Sequence, residues 1–219
     1  MLDRVLETEA MDTAEEANDY DAMDHSAVNR RFAFEFLAVW NDKNPILDVG
    51  TGTAQIPIEL CRQSPLPQVI AIDLADHMLA LARRNVGQAG LTGRISIEKA
   101  DAKRFRHPDE HFGAVISNSI IHHIPEPLGC LAEMHRVCAA GGVLFVRDLL
   151  RPNDEATLNH LVDTYAAGEN SRQRKLFADS LRAALRLEEV WELVMNLGYS
   201  ADRVKQSSDR HWTFAALRQ

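Results

Sequence analysis

The 219-residue sequence lacks long apolar runs, and it contains only three cysteines. No uncharged apolar stretch approaches the roughly 18 residues that a membrane-spanning helix needs, which argues against such a helix. No basic segment followed by an apolar one marks the N-terminus, so no secretory signal is predicted. Cys61, Cys130 and Cys138 are an odd number without CxxC spacing, and we expect them to be buried thiols in a reducing environment. These absences predict a cytoplasmic protein without membrane contacts.

Basic residues are scarce in the first 30 positions. This leader holds nine Asp or Glu against Arg4 and Arg30, a net charge of −7, whereas the other 189 residues hold 23 acidic and 22 basic side chains. An acidic arm repels phosphates, which argues against a nucleic-acid partner. The leader is therefore predicted to be solvated, unless it folds over a site.

The middle of the chain alternates strand and helix patterns, and several strands are continuously apolar. The predicted strands are 45–50, 67–73, 94–101, 112–119 and 143–150, and the predicted helices between them are 53–63, 75–90 and 127–142, the last closed by Gly141 and Gly142. Two more strands are predicted at 202–208 and 211–217. This order predicts an α/β fold with a doubly wound, mostly parallel seven-stranded sheet. In such sheets, ligands bind beyond the carboxyl ends of the strands.

Two parts of the chain lie outside this alternation. Segment 28–40 is ambiguous, because Phe32, Phe34 and Phe36 alternate like a strand while Phe32, Phe36 and Trp40 share one helical face. We favour a helix and predict a leader with a cap helix over 1–40, followed by a single domain over 41–219. Segment 151–198 is predicted to be helical. Its helices could form a lid or wall over the strand ends, or they could cover the sheet, and the sequence does not decide between these two roles.

The first strand runs into a turn with two glycines, "DVGTG" at 48–52. A dinucleotide-binding turn needs a third glycine where this chain has Gln55, and the spacing is not that of a P-loop. Glycines let the backbone approach a ligand closely, and the following helix offers free N–H groups. The turn is therefore predicted to hold an anionic group such as a carboxylate.

With Asp48 before the two glycines, this turn resembles motif I of the class I S-adenosylmethionine (SAM)-dependent methyltransferases. Three further stretches resemble that family in the right order. The second strand ends in Asp73, the third ends in Asp101, and "LAEMHRVCAAGGVLFVRDLLRP" is similar to the family's helix-and-strand stretch, with Ala140 where the family has proline. The resemblance covers residues 46–152 and implies the Rossmann-like methyltransferase fold, with SAM as cofactor.

The resemblance also implies which side chains meet the cofactor. The glycine turn would approach the methionine half, Asp73 the ribose, and Asp101 the adenine amino group. Leu74 and Met78 would flank the adenine, and Asn118 would lie near the methyl donor. The implied SAM-binding residues are Asp48, Gly50, Thr51, Gly52, Asp73, Leu74, Met78, Asp101, Ala102 and Asn118. Leaders in the family often fold over the cofactor, which adds Tyr20 and His25.

Candidates for chemistry follow the fourth and fifth strands. His122 and His123 lie at the expected mouth of the site and are the candidate bases, because histidine titrates near neutral pH. Arg147 and Asp148 interrupt an apolar strand, so each is expected either to pair with a neighbouring element or to contact substrate. Two adjacent histidines without a third ligand predict no metal.

The predicted function is in-line transfer of a methyl group from SAM to a small acceptor, and no oligomeric state is predicted. A methyltransferase acting on nucleic acid or protein is the main alternative. The segment after the fourth strand lacks the [DNS]-P-P-[YFW] motif of amino-group methyltransferases of nucleic acid. Two further alternatives are a catalytically silent SAM-binding module and an NAD-dependent oxidoreductase. If the acidic leader closes over the site, a cationic or neutral acceptor would suit it best.

Overall fold

The structure is a computed structural model that describes residues 1–7 and 13–219. Its strands are β1 (Ile46–Val49), β2 (Val69–Asp73), β3 (Ile95–Lys99), β4 (Phe112–Asn118), β5 (Cys138–Leu149), β6 (Val204–Gln206) and β7 (His211–Leu217). Its helices are α1 (Ala14–Ala22), α2 (Ser26–Val39), α3 (Gln55–Gln63), α4 (Asp76–Gln88), α5 (Pro127–Val137), α6 (Glu155–Tyr165), α7 (Ser171–Ala183) and α8 (Leu187–Asn196). Short 3-10 helices span Ile121–His123 and Ala201–Arg203. Among the described helices, none has both the length and the apolarity to cross a lipid bilayer.

The seven strands form one sheet in the order β3-β2-β1-β4-β5-β7-β6. The pairs from β3 to β5 are parallel, and β7 runs antiparallel to both β5 and β6. This confirms the predicted doubly wound, mostly parallel sheet. The strand order reverses between β1 and β4, so the loops that follow these two strands border the crevice where such sheets bind ligands.

Apolar side chains fill both faces of the sheet. On one face, Phe32 and Phe36 of α2 and Trp40, which follows this helix, join residues of α3 and α4. On the other face, α5 and α8 pack over Trp212 and Phe214 of β7. Helices α6 and α7 form a smaller core around Leu149, at the carboxyl end of β5. Segment 151–198 thus divides between a helix that covers the sheet and a helix pair beside the strand ends.

Segment 28–40 is helical, as predicted, because the helical face buries the larger aromatic surface. Phe32 and Phe36 are fully buried, and their rings pack edge-on against Phe145 of β5 with centroids 5.1 and 5.8 Å away. Phe34, which a strand would have placed beside them, is 68% exposed. Two aromatic anchors on one helical face decide the conformation.

The predicted end of the helix over 127–142 is wrong. Helix α5 ends at Val137, and β5 begins at Cys138, which pairs with Phe112 before the register shifts. Gly141 and Gly142 therefore lie in an irregular start of the strand rather than closing the helix. A Cβ on Gly142 would lie 2.8 Å from the Gly113 carbonyl oxygen, so the glycine permits close approach of two strands.

Candidate functional site

The glycine turn after β1 is held by backbone and side-chain hydrogen bonds from β2. Gly50 and Gly52 have φ angles of +73° and +55°, the left-handed region that favours glycine. The Gly52 N–H donates to Asp73 Oδ2 at 2.8 Å, and the Ala75 N–H donates to Asp73 Oδ1 at 2.9 Å. A carboxylate has about four lone-pair sites, so Asp73 can support the turn and still accept from a ligand.

A cleft lies at this turn, between the ends of β1 and β4. Its lining includes Tyr20, Asp48, Gly50, Thr51, Thr53 and Asn118. Four buried oxygens lie in this lining: Thr53 Oγ1 and Asn118 Oδ1 have no hydrogen-bond partner among residues 1–7 and 13–219, and Asp48 Oδ2 and Thr51 Oγ1 have none there beyond each other. Buried polar atoms without partners are rare in folded proteins. Their concentration in one cleft indicates a site for a polar ligand.

Asp48 is the most strongly perturbed carboxyl in this lining. Its side chain is almost completely buried, at 2% exposure. Burial raises the pKa of Asp48 to about 7, and the negative charge of Asp73 acts in the same direction. A nearly neutral carboxyl at the end of a buried strand would be stabilised in its charged form by a bound cation.

Helix α1 lies against the cleft. Tyr20 lines the cleft, and burial raises the pKa of its phenol to about 12. Asp21 anchors the helix to α4, accepting from Arg84 at 2.7 Å and from Asn85 at 2.8 Å. His25 stacks at a tilt on Tyr20 with ring centroids 4.9 Å apart. The part of the leader over 13–25 is therefore docked beside the predicted cofactor residues.

The residues predicted on the adenine side are distributed around the next two strand ends. Met78 is buried against Ala17 and Ala75 beneath α1, whereas Leu74 is 40% exposed. Asp101 follows β3, where its Oδ1 accepts from the Lys103 N–H at 2.9 Å in a turn. Ala102, which is half-buried, follows in the same turn.

His122 and His123 form the 3-10 helix after β4, and both lie beside Glu7. The His122 Nδ1 is 2.5 Å from Asp148 Oδ1, and its Nε2 is 3.5 Å from Glu7 Oε1. The His123 Nδ1 is 3.1 Å from the same Glu7 oxygen. Burial alone would lower the pKa of His122, but the adjacent Asp148 carboxylate outweighs it and the pKa is raised.

Arg147 and Asp148 point to opposite faces of the sheet, as neighbours on a strand must. Asp148 is fully buried and accepts from the Ile121 N–H at 2.5 Å and the Leu149 N–H at 2.6 Å, besides its contact with His122. Arg147 forms an ion pair with Glu35 of α2 and donates to Thr213 Oγ1 at 2.8 Å. Each predicted substrate residue is thus paired within the fold.

Glu7, Glu35 and Thr53 are members of these clusters that the sequence patterns did not indicate. Glu7 is 116 positions from His123, and Glu35 is 112 positions from Arg147. No spacing rule links residues so far apart. Thr53 follows the glycine turn directly, and its position just before α3 was the available signal.

A doubly wound sheet with an antiparallel seventh strand, a glycine turn after β1 and an acidic residue at the end of β2 defines the class I SAM-dependent methyltransferases. The comparisons with known proteins agree. Residues 47–146 match the family model described as a methyltransferase domain. Residues 47–146 thus form a methyltransferase domain of the kind found in class I SAM-dependent methyltransferases, a family whose cofactor is SAM.

Three relatives illustrate the likeness. The chain is 31% identical over 124 residues to the ubiquinone/menaquinone biosynthesis C-methyltransferase UbiE of Geobacter sp. (strain M21), covering 56% of this chain and 52% of the relative. It is 34% identical over 127 residues to a phosphatidylethanolamine N-methyltransferase of Cereibacter sphaeroides, covering 58% and 60%. The chain thus spans about half the length of the first of these curated relatives. A SAM-dependent methyltransferase structure from Aquifex aeolicus has a TM-score of 0.71 at 18% identity, covering 94% and 99%, and shares the fold.

Proposed function

We propose that the protein transfers the methyl group of SAM to a small-molecule acceptor. The observation that carries this proposal is the cleft at the switch point of the sheet. There, next to Asp73, the buried oxygens of Asp48 and Asn118 could accept hydrogen bonds from a ligand. The names of the relatives, which describe methylation of quinone precursors and of phosphatidylethanolamine, support a small acceptor. The acidic leader and the absence of the proline motif after β4 argue against nucleic acid.

We assign the cleft residues to the methionine half of SAM. The Asp48 carboxylate and the Asn118 oxygen suit its α-ammonium group, and the backbone of Gly50, Thr51 and Gly52 suits its carboxylate. Asp73 would accept from the ribose hydroxyls while it keeps its bonds to the turn. Leu74, Met78, Asp101 and Ala102 would border the adenine, with Tyr20 and His25 closing the side nearest α1. These residues fit SAM, because the cleft supplies hydrogen-bond acceptors where the cofactor has hydrogen-bond donors.

The bound cofactor supplies an activated methyl group, so the protein must align the acceptor and exclude water. Helix α1 serves the second task, because Tyr20 covers the glycine turn. A base is needed only for an acceptor that loses a proton. The role of His122 and His123 as bases stays a prediction. The Nε2 atom of His122 faces Glu7 and therefore points toward the N-terminal segment.

We also propose that the protein acts in the cytoplasm. Cys61, Cys130 and Cys138 are all buried free thiols. Burial raises the pKa values of Cys130 and Cys138 to about 12, which makes these thiols unreactive. Three unpaired cysteines suit a reducing compartment.

The test is calorimetric titration with SAM and with its demethylated product, using NAD as the negative control. Asp73→Asn should weaken SAM binding about 5- to 150-fold, because charge-assisted bonds of about 1–3 kcal/mol are lost. The matched control is Asp76→Asn, an exposed carboxylate that pairs with Lys99 and lies outside the cleft. The proposal would be refuted if Asp73→Asn left the affinity for SAM unchanged, or if the protein bound NAD in place of SAM.

Transfer is tested separately with methyl-labelled SAM and a panel of acceptors that includes quinols, amines and carboxylates. Transfer to at least one small acceptor is expected. Transfer only to RNA, DNA or protein would favour the alternative methyltransferase. Tight SAM binding with no transfer to any acceptor would favour the silent binding module.

A further inference from the structure

Three side chains outside the cofactor cleft place their ligand atoms around one point. Glu7, His122 and His123 each offer one nitrogen or oxygen, and these atoms all lie within 4.8 Å of one another. Glu7 Oε1 lies 3.5 Å from His122 Nε2 and 3.1 Å from His123 Nδ1. Tetrahedral zinc with bonds of about 2.0–2.1 Å separates neighbouring ligand atoms by about 3.3 Å. The cluster therefore has nearly the spacing that a zinc ion requires.

The surroundings of His122 are those of a metal-binding histidine. Its Nδ1 faces Asp148 Oδ1 at 2.5 Å, so a proton on Nδ1 leaves the Nε2 lone pair directed at Glu7. A metal-ligating histidine almost always donates its other ring N–H to a carboxylate or carbonyl, which fixes its tautomer and orientation. Asp148 is itself held by the Ile121 and Leu149 N–H groups. The orienting partner is thus already present and rigid.

Charge balance also favours a divalent cation. Glu7 and Asp148 are the two carboxylates in direct contact with the histidines. Arg4 is the cation nearby, but its guanidinium donates to backbone carbonyls of His122, Ile124 and Ala183 rather than to the ligand atoms. With both histidines neutral, the two carboxylates exceed the single positive charge of Arg4, so a bound cation would be stabilised at the cluster.

We propose that Glu7, His122 and His123 bind one divalent transition-metal ion, zinc above all, with a water molecule at the fourth position. Nitrogen and oxygen ligands in a His₂Glu set with one open position are typical of zinc. Magnesium and calcium favour sets made only of oxygen ligands. The bound ion would fasten the N-terminal segment, residues 1–7, to the 3-10 helix after β4. This assignment is independent of methyl transfer, and it replaces the prediction that no metal binds.

The segment carrying Glu7 is already placed for this role. The Leu2 N–H donates to the Asn153 carbonyl at 3.0 Å, and the Val5 N–H donates to the Arg182 carbonyl at 3.2 Å. Ser180 of α7 donates to Glu7 Oε1 at 3.0 Å. Because the backbone before Glu7 and the Glu7 carboxylate itself have partners on other elements, little ordering of these groups remains to be done when a metal binds.

The test uses the full chain without a histidine tag, stripped of metal by a chelator and titrated calorimetrically with zinc chloride. One equivalent per chain is expected. Glu7→Gln should weaken zinc binding at least tenfold, and Asp148→Asn should weaken it about 10- to 100-fold through loss of the orienting partner. Glu98→Gln is the matched control, because Glu98 Oε2 lies 3.3 Å from His107 Nε2 in a second histidine–glutamate pair, for which residues 1–7 and 13–219 offer no third ligand.

Hydrogen exchange gives a readout that does not depend on activity. Zinc should slow exchange of the Val5 N–H several-fold in the wild type and leave it unchanged in Glu7→Gln, provided that circular dichroism shows both proteins folded. Absence of zinc binding by the wild type, or equal binding by the wild type and Glu7→Gln, would overturn the proposal. Equal weakening in Glu7→Gln and Glu98→Gln would also overturn it, since binding would then be distributed over surface histidines.

Discussion

If Asp48 faces the α-ammonium group of SAM as proposed, its buried carboxyl should make SAM binding and stability depend on pH in opposite ways. Its pKa of about 7 in the folded protein lies well above the ordinary value of 3.8. Between these values the folded protein holds a proton that the unfolded chain has lost, so the free energy of unfolding falls as the pH rises. The full difference corresponds to about 4 kcal/mol at pH values above 7, from 1.36 kcal/mol for each unit of pKa.

Asp48→Asn removes this titration and keeps the shape of the side chain. The free energy of unfolding of the ligand-free variant should exceed that of the wild type by as much as about 4 kcal/mol at pH 8, and the two should converge near pH 4. Urea unfolding across this range measures the difference. Asp76→Asn, an exposed substitution, is the control and should leave the pH profile unchanged.

SAM binding should have the opposite pH dependence. An α-ammonium beside Asp48 favours the carboxylate, so binding at pH 6 should release about 0.9 proton per site from a group with a pKa near 7. Affinity should rise close to tenfold between pH 5.5 and 6.5, where an α-amino group with a pKa of about 7.7–8.0 stays charged. Calorimetry in buffers of different ionisation enthalpy counts the protons. The reasoning fails if wild type and Asp48→Asn release the same number.

Other substitutions test the turn, the core and a buried histidine. Gly50→Ala should destabilise the protein in urea by about 1–3 kcal/mol more than Gly52→Ala, because a Cβ on Gly50 would lie 2.1 Å from a neighbouring isoleucine methyl, whereas one on Gly52 meets only a ring carbon at 3.6 Å. Phe32→Ala should lower the free energy of unfolding by about 3–5 kcal/mol and the exposed Phe34→Ala by far less. Burial lowers the pKa of His211 to about 4 from 6.5, so stability should fall by up to about 3 kcal/mol as the pH drops through that window. His211→Gln should flatten this loss.

The elements that the sequence predicts well are those that local patterns determine. Met78, Leu79, Ala82 and Val86 of α4 recur at helical spacing, and all four are buried. The acidic residue that ends β2 was predicted because its distance from the glycine turn is set by one strand–helix–strand unit. The sheet order then brings Asp73 against the Gly52 N–H.

The features that the sequence did not predict depend on contacts between distant residues. The glycines at 141 and 142 have the pattern of a helix C-cap, yet the pairing of Cys138 with Phe112 extends the strand backward past them. Sheet pairing supplied the hydrogen bonds that a longer helix would have made. Likewise, the proximity of Glu7 to the two adjacent histidines could not be predicted, because Glu7 comes from the other end of the chain.

The acidic leader has a different role from the one that its composition suggests. Its charge predicted a solvated arm that would, if closed over the site, select a cationic or neutral acceptor. Asp21 instead pairs with Arg84, and Glu15 pairs with Arg172 of α7. Because Asp21 and Glu15 are neutralised by these docking contacts, the two carboxylates contribute little electrostatic field at the cleft. Two carboxylates of the leader thus make contacts within the fold. Asp21 holds the helix that carries Tyr20 against α4, and Glu7 contacts the two histidines of the 3-10 helix after β4.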